Sequence, residues 1–139
     1  MNNSISLLTV DDDATDAKLI KHALAELNIE CGFIHFIGYQ DLLEYLRSPG
    51  FIMPCIILMD LNTPQMSGFE FLEIIKNDPI FRRIPAIVLS GSTSLTDVNR
   101  SYSLGAAGYM PKPGDYEELK NMLGIIHKYW FINKLPAIY

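Results

Sequence analysis

Basic residues are scarce in this 139-residue chain: 11 lysines and arginines stand against 16 aspartates and glutamates, a formal net charge of −5. Binding a nucleic-acid backbone calls for a basic stripe, and none is present, so nucleic acid is not an expected partner. Cysteine is scarcer still. Cys31 and Cys55 have neither a metal-type spacing nor the numbers for a disulfide framework, which suits a reducing cytoplasm and buried structural thiols. No apolar run approaches the roughly 20 residues that span a bilayer. The opening "MNNSIS" also lacks a basic region followed by an apolar one, so neither membrane insertion nor export is expected. His22, His35 and His127 lie far apart without ligand spacing and read as structural or surface groups. Repeats, linkers and low-complexity tracts are absent as well. With 49% of residues apolar, the chain can bury one core and is too short for two domains. One domain over 1–139 is expected, its core at about 5–133 and a tail at 134–139.

What is present is an alternation. "ISLLTV" (5–10), "GFIHFI" (32–37), "CIILM" (55–59), "AIVLS" (86–90) and "AAGYM" (106–110) are short and nearly free of charge, as strands buried on both faces are. Helical patterns lie between them. Leu19, Ile20, Ala23, Leu24 and Leu27 share a stripe in the first, and the second runs around Asp41 to Arg47. Ser67 and Glu70 form an S-x-x-E capping box at the start of the third. The fourth starts at a Ser94 or Thr96 cap and ends at Gly105, with the least clearly divided faces, which makes it a candidate for motion. The fifth places Leu119, Met122, Leu123, Ile126 and Trp130 on one stripe and Ile125, Tyr129 and Ile132 on a second. Strands alternating with helices predict an α/β fold, a five-stranded parallel sheet doubly wound with helices on both faces.

In open sheets of this kind the chemistry lies beyond the carboxyl ends of the strands. Asp11 and Asp12 follow the first strand, Asp60 the third, Ser90 the fourth, and Lys112 the fifth. The run "DDD" (11–13) crowds like charges that raise the cost of ionising one another unless a cation or a basic side chain compensates. One aspartate can cap a helix; three are more than a cap needs. Three carboxylates suit a hard divalent cation such as Mg2+, and a carboxylate beside it can attack phosphorus to give an acyl phosphate. Lys112 and Ser90 are then placed to contact the phosphoryl oxygens, one as a charge and one as a donor.

These residues resemble the receiver domains of two-component response regulators. The motifs are "VDDD", "IILMDLNTPQMSGFEFL", "IVLSGS" and "YMPKP", in order and in spacing, and the likeness runs from about Leu7 to Tyr139. The resemblance implies a flavodoxin-like sheet with strand order 2-1-3-4-5. It implies that Asp60 is the phosphoacceptor, loaded from the phosphohistidine of a sensor histidine kinase or phosphotransfer protein. It also implies that Asp12, Asp60 and the backbone carbonyl of Asn62 bind Mg2+, with Asp11 acting largely through water. Ser90 and Lys112 would read the phosphoryl group, Ser90 and Tyr109 would form the switch, and Asn62 and Ser92 would tune the lifetime of the adduct. Lys112–Pro113 would be a cis peptide. The ending "IIHKYWFINKLPAIY" is similar to that of stand-alone receivers serving phytochrome-type kinases. The signal would then leave through a phosphorylation-dependent protein-binding surface or by onward transfer. A homodimer through the fourth helix, fifth strand and fifth helix would cover the second apolar stripe of the last helix.

Three positions depart from the family pattern. Thr63 replaces a hydrophobic residue in the loop after the acceptor, Pro111 stiffens the approach to Lys112, and Ser92 follows Ser90 by two. Plainer roles stand beside several of these. Asp13 and Asp16 suit a helix cap and first turn. Ser90 can be a strand-end hydroxyl bonded to backbone, Lys112 a solvated amine, and Tyr109 a packing residue, which does not exclude switching. From another class, "DDDAT" (11–15) fits the D-x-D-x-T signature of haloacid dehalogenase-type phosphohydrolases, with Asp11 as nucleophile and Asp13 as acid/base. That pattern wants a further acidic pair, and "GDYEEL" offers Leu119 where the second Asp belongs; it also leaves Asp60 without a role. A binding module with retired chemistry is a third reading, and it leaves unexplained why acceptor, metal carboxylates, hydroxyl and lysine are all retained.

Overall fold

The computed structural model describes residues 5–137. The chain's first four residues, the last two of the expected tail, and with them part of "MNNSIS" and the end of the receiver likeness at Tyr139, lie outside the described residues. Five strands, β1 (Ser6–Val10), β2 (Gly32–Phe36), β3 (Cys55–Asp60), β4 (Ala86–Ser90) and β5 (Gly108–Pro111), alternate with five helices. These are α1 (Ala14–Glu26), α2 (Tyr39–Leu46), α3 (Gly68–Lys76), α4 (Leu95–Ser103) and α5 (Tyr116–Trp130), with a 3-10 turn at Phe81–Arg83 before β4. All pairings are parallel and the order is β2-β1-β3-β4-β5, the expected topology.

The period of two within the strands divides the core. Leu8, Val10, Ile57, Met59 and Val88 face α2 and α3, where Leu42, Phe71, Leu72 and Ile75 meet them. Leu7, Ile56, Leu58 and Ile87 face α1 and α5 and are covered by Ile20, Leu24, Leu119, Leu123 and Ile126. β3, buried along its whole length, is the middle of both layers. This is why "CIILM" contains no polar residue and why Asp60, the strand's last residue and paired with Leu89, is itself buried.

The helix starts follow the capping residues. Asp13 caps α1 by accepting from the Thr15 N–H, and Ser67 caps α3 by accepting from the Glu70 N–H. Gly68 lies so close to the β3–α3 loop that a Cβ there would stand 3.0 Å from the Leu61 Cα. Gly105 closes α4 at φ +103°, a left-handed conformation that L side chains resist. α4 buries only Ser101 among its residues; Arg100 lies over the Phe69 ring at 4.1 Å and ties it to α3. That weak attachment comes from a low apolar content and not, as expected, from poorly divided faces, since its few apolar residues are as well separated from the polar ones as in the other helices.

Several expectations shift. Among the described residues the cis peptide is Met53–Pro54, and Lys112–Pro113 is not cis. Any X–Pro bond leaves the two isomers close in energy, so the surroundings choose and the dipeptide alone does not. β5 begins at Gly108 rather than Ala106 and includes Pro111, which an edge strand tolerates because its outer N–H would bond nothing in the sheet. α2 begins at Tyr39, ahead of the expected Asp41. Leu19 is exposed rather than part of the packed stripe, and Ile132 lies beyond the end of α5. Ser94 stands at the N-cap of α4 without a side-chain cap bond. Cys55 is buried as expected, and its burial pushes the thiol up to about 12, whereas Cys31 is only half-buried. No helix is long and apolar enough to cross a membrane among the described residues.

Phe71 is fully buried and stacks on Tyr39 with ring centroids 4.7 Å apart. Phe71→Ala is expected to cost about 3–5 kcal/mol in urea unfolding, from lost transfer energy and the cavity left behind. A loss below about 1 kcal/mol would show that this layer can collapse around the gap.

Candidate functional site

Four of the strand ends, those of β1, β3, β4 and β5, carry the residues that the sequence spaced apart. Asp60 is 9% exposed at the end of β3. Its Oδ2 accepts from Lys112 Nζ at 2.9 Å, and its Oδ1 accepts from the Asn62 N–H at 3.1 Å. Asp11, one residue past β1, lies 3.7 Å from the same ammonium, and its Oδ1 accepts from the Asp13 N–H at 2.8 Å. Asp12 points outward, yet carboxylate oxygens of Asp11, Asp12 and Asp60 all lie within 4.8 Å of one another. Lys112 is held in place through its own backbone, whose N–H donates to the Ser90 carbonyl at 3.1 Å, continuing the β4–β5 register past the strand.

The electrostatics follow from that crowding. Burial raises the Asp11 carboxyl above the usual carboxylate range; nearby Asp16 adds to this, while the Asp13 N–H and Lys112 oppose it. Burial alone would lower Lys112, but the hydrogen bond and charge of Asp60, with Asp11 and Asp16 behind it, outweigh burial and raise it. The lysine is therefore a permanent cation among the three carboxylates. One ammonium does not balance three carboxylates, and the donor set of hard oxygens is the kind that holds a divalent cation with part of its water.

A second chain of contacts leads away from Ser90. This residue is buried, and its Oγ accepts from the Ser92 N–H at 3.0 Å. The Ser92 hydroxyl donates to Asp97 Oδ2 at 2.8 Å and accepts from the Ser94 N–H at 3.2 Å, tying the β4–α4 loop to the first turn of α4. The Tyr109 hydroxyl donates to the Ser92 carbonyl at 3.0 Å while its ring packs on the α2–α3 side of the core. Thr63, in the loop that carries Asn62, donates to the Met66 carbonyl at 2.8 Å and so braces that loop.

Sequence reasoning missed Tyr39. Its hydroxyl donates to the backbone carbonyl of Asp60, and burial, with the charges of Asp60 and Asp11 added, holds its pKa well above that of a free phenol. A tyrosine heading an apolar stripe is a signal of sorts, because a buried hydroxyl must find an acceptor, but nothing local says which. Asp13 is engaged as the α1 cap, and Leu119 is buried between α1 and α5. The hydrolase reading, which needs Asp13 free and an acid at position 119, finds no support. A cavity of about 330 Å3, walled by Leu19, Leu89, Leu119 and Tyr116, opens beside Asp11 and Lys112.

Known proteins resemble the chain in sequence and in fold. The family model described as "Response regulator receiver domain" matches residues 7–124. The response regulator Rcp1 of Synechocystis sp. is 33% identical over 139 residues, covering 94% of this chain and 92% of that protein. A probable methanogenesis regulatory protein of Methanothrix harundinacea, FilR2, is 35% identical over 127 residues, covering 89% of this chain and 82% of that protein. Among solved structures, the phosphorylated cyanobacterial phytochrome response regulator RcpA aligns with a TM-score of 0.87 at 31% identity, over 96% of this chain and 99% of that one. The Mn2+-bound form of Rcp1 aligns with a TM-score of 0.84, also at 31% identity and over the same shares. A 2-1-3-4-5 sheet whose strand ends gather three carboxylates, a serine and a lysine, matched along nearly its whole length by such relatives, places this chain in the response regulator receiver family.

Proposed function

We propose that the chain acts as a single-domain response regulator in the cytoplasm, taking a phosphoryl group onto Asp60 from the phosphohistidine of a sensor histidine kinase or phosphotransfer protein. The observation that carries this is the setting of Asp60. Its carboxylate is held at a strand end between an ammonium and a backbone N–H, with two further carboxylates within 4.8 Å. A carboxylate oxygen of Asp60 attacks phosphorus as the P–N bond breaks; the bonding pair leaves with the imidazole, which is protonated as it departs, and Asp60 becomes a mixed anhydride. Asp12, Asp60 and the Asn62 carbonyl would hold Mg2+, with Asp11 acting through water. When bound, the cation supplies positive charge against the phosphoryl oxygens. Lys112 exchanges its bond to Asp60 for one to a phosphoryl oxygen, and the Ser90 hydroxyl donates to another. The domain is thus a signalling module that speeds its own loading and unloading rather than an enzyme with a separate substrate.

The output arises from the Ser90 contacts. Drawing Ser90 toward the phosphoryl group pulls on the Ser92 N–H, and with it on Asp97 and Tyr109, the groups that seat the start of α4. Because α4 has little buried surface, a small change at its first turn is enough to move it. Asn62 and Ser92, flanking the acceptor, set the adduct's lifetime. The face of α4, β5 and α5 exposes Leu95, Ile125 and Tyr129, apolar surface that a homodimer would cover. Sedimentation at high micromolar concentration should show a dimer that strengthens on phosphorylation; a monomer in both states would remove it.

The loading step is tested by intact mass after incubation with acetyl phosphate. The wild type should gain one labile phosphoryl group only when Mg2+ is present. Asp60→Asn should abolish the gain, and Asp11→Asn should reduce it. Catalytic release of phosphate without an adduct, lost in Asp11→Asn, would contradict the proposal.

A further inference from the structure

Tyr39 opens α2 and Asp60 closes the next element, β3, 21 residues on, and yet the Tyr39 hydroxyl ends on the Asp60 backbone carbonyl. The side chain is 1% exposed and its ring stacks on Phe71 at an interplanar angle of 24°. The β1–β3 pairing stops at Val10 and Met59, so opposite Asp60 the neighbouring strand has already turned away into Asp11. Tyr39 reaches over that strand end. Asp60 is thereby held at three points: its carbonyl by Tyr39, its Oδ1 by the Asn62 N–H, and its Oδ2 by Lys112.

We infer that Tyr39 is a positioning residue for phosphoryl acceptance, its hydroxyl fixing the peptide that joins Asp60 to the loop bearing Asn62. This rests on the assignment of Asp60 and its neighbours as the acceptor and cation site. The peptide between Asp60 and Leu61 is shared by the strand and the loop. Rotation of that peptide displaces the Asn62 N–H from Oδ1 and changes the angle at which the carboxylate meets Asp11 and Asp12. A hydrogen bond from the hydroxyl of a fully buried ring to that carbonyl opposes the rotation. Packing alone asks only for an aromatic ring at position 39, and phenylalanine would serve. The hydroxyl is what separates the two roles.

Binding of Mn2+ to the full chain, followed by the EPR signal of the free ion, measures the site without phosphorylation. Tyr39→Phe is expected to weaken Mn2+ binding about three- to tenfold, the scale of one lost hydrogen bond. Phe71→Leu, which loosens the same packing but keeps the hydroxyl, should lower the unfolding midpoint and leave Mn2+ affinity within about twofold, because packing losses act on stability first. Equal weakening in both variants, or none in Tyr39→Phe, overturns the role of Tyr39 and leaves the site intact. A wild type that binds no Mn2+ overturns the site assignment itself, and the role of Tyr39 with it. Should Tyr39→Phe fail to fold, the wild type still decides the matter by NMR. The Tyr39 hydroxyl proton should shift on Mg2+ addition, since coupling between two sites is reciprocal; an unmoved resonance overturns the inference.

Discussion

An ammonium 2.9 Å from one carboxylate and 3.7 Å from another is the contact on which the whole strand-end surface depends. Three carboxylates within 4.8 Å of one another repel, and each is tolerable only while positive charge stands close. Lys112 supplies part of that charge from the edge strand of the sheet, whereas Asp60 sits at the end of the central one, with β4 between them. The pairing of β3 with β4 and of β4 with β5 therefore sets the distance between Asp60 and Lys112. Any slip of register would move a buried charge away from its partner.

The same arrangement leaves the charges of the site unbalanced. A divalent cation and a phosphoryl group together bring the opposite charges that the cluster lacks in turn, so the two are naturally coupled there. Loading then calls for a rearrangement among hydrogen bonds rather than a large repacking. Ser90 would be the joint, since it ends the strand beside Asp60 and its buried hydroxyl accepts from the Ser92 N–H. Ser92 gathers Tyr109, Asp97 and Ser94, and all of these bear on the start of a helix that buries one residue. On the proposed reading, rigid strands on one side and a lightly held helix on the other would turn a local charge into a changed surface.

Much of this was legible in the sequence for a physical reason. β1 and β3 are buried on both faces, so "ISLLTV" and "CIILM" had to be apolar almost throughout, and the acids and the lysine stand out because they fall where such runs stop. Caps such as Asp13 and Ser67 are local bonds, readable from two or three residues. The remainder depends on contacts distant along the chain. Tyr39 meets Asp60 only because β1 ends early, which no local pattern announces. Which proline bond is cis was equally hidden, as was the end of α5 at Trp130, which leaves Ile132 off the helical stripe. Leu19 kept helical spacing but faces a cavity rather than the core.

The central claim is that Asp60, and no other carboxylate of the cluster, carries the phosphoryl group. Borohydride reduces an aspartyl phosphate to homoserine, leaving a permanent mark on the residue that held it. Peptide mass mapping of the phosphorylated, reduced chain should place that mark at position 60 alone. A mark at Asp11, Asp12 or Asp13 with position 60 unmodified would contradict the account.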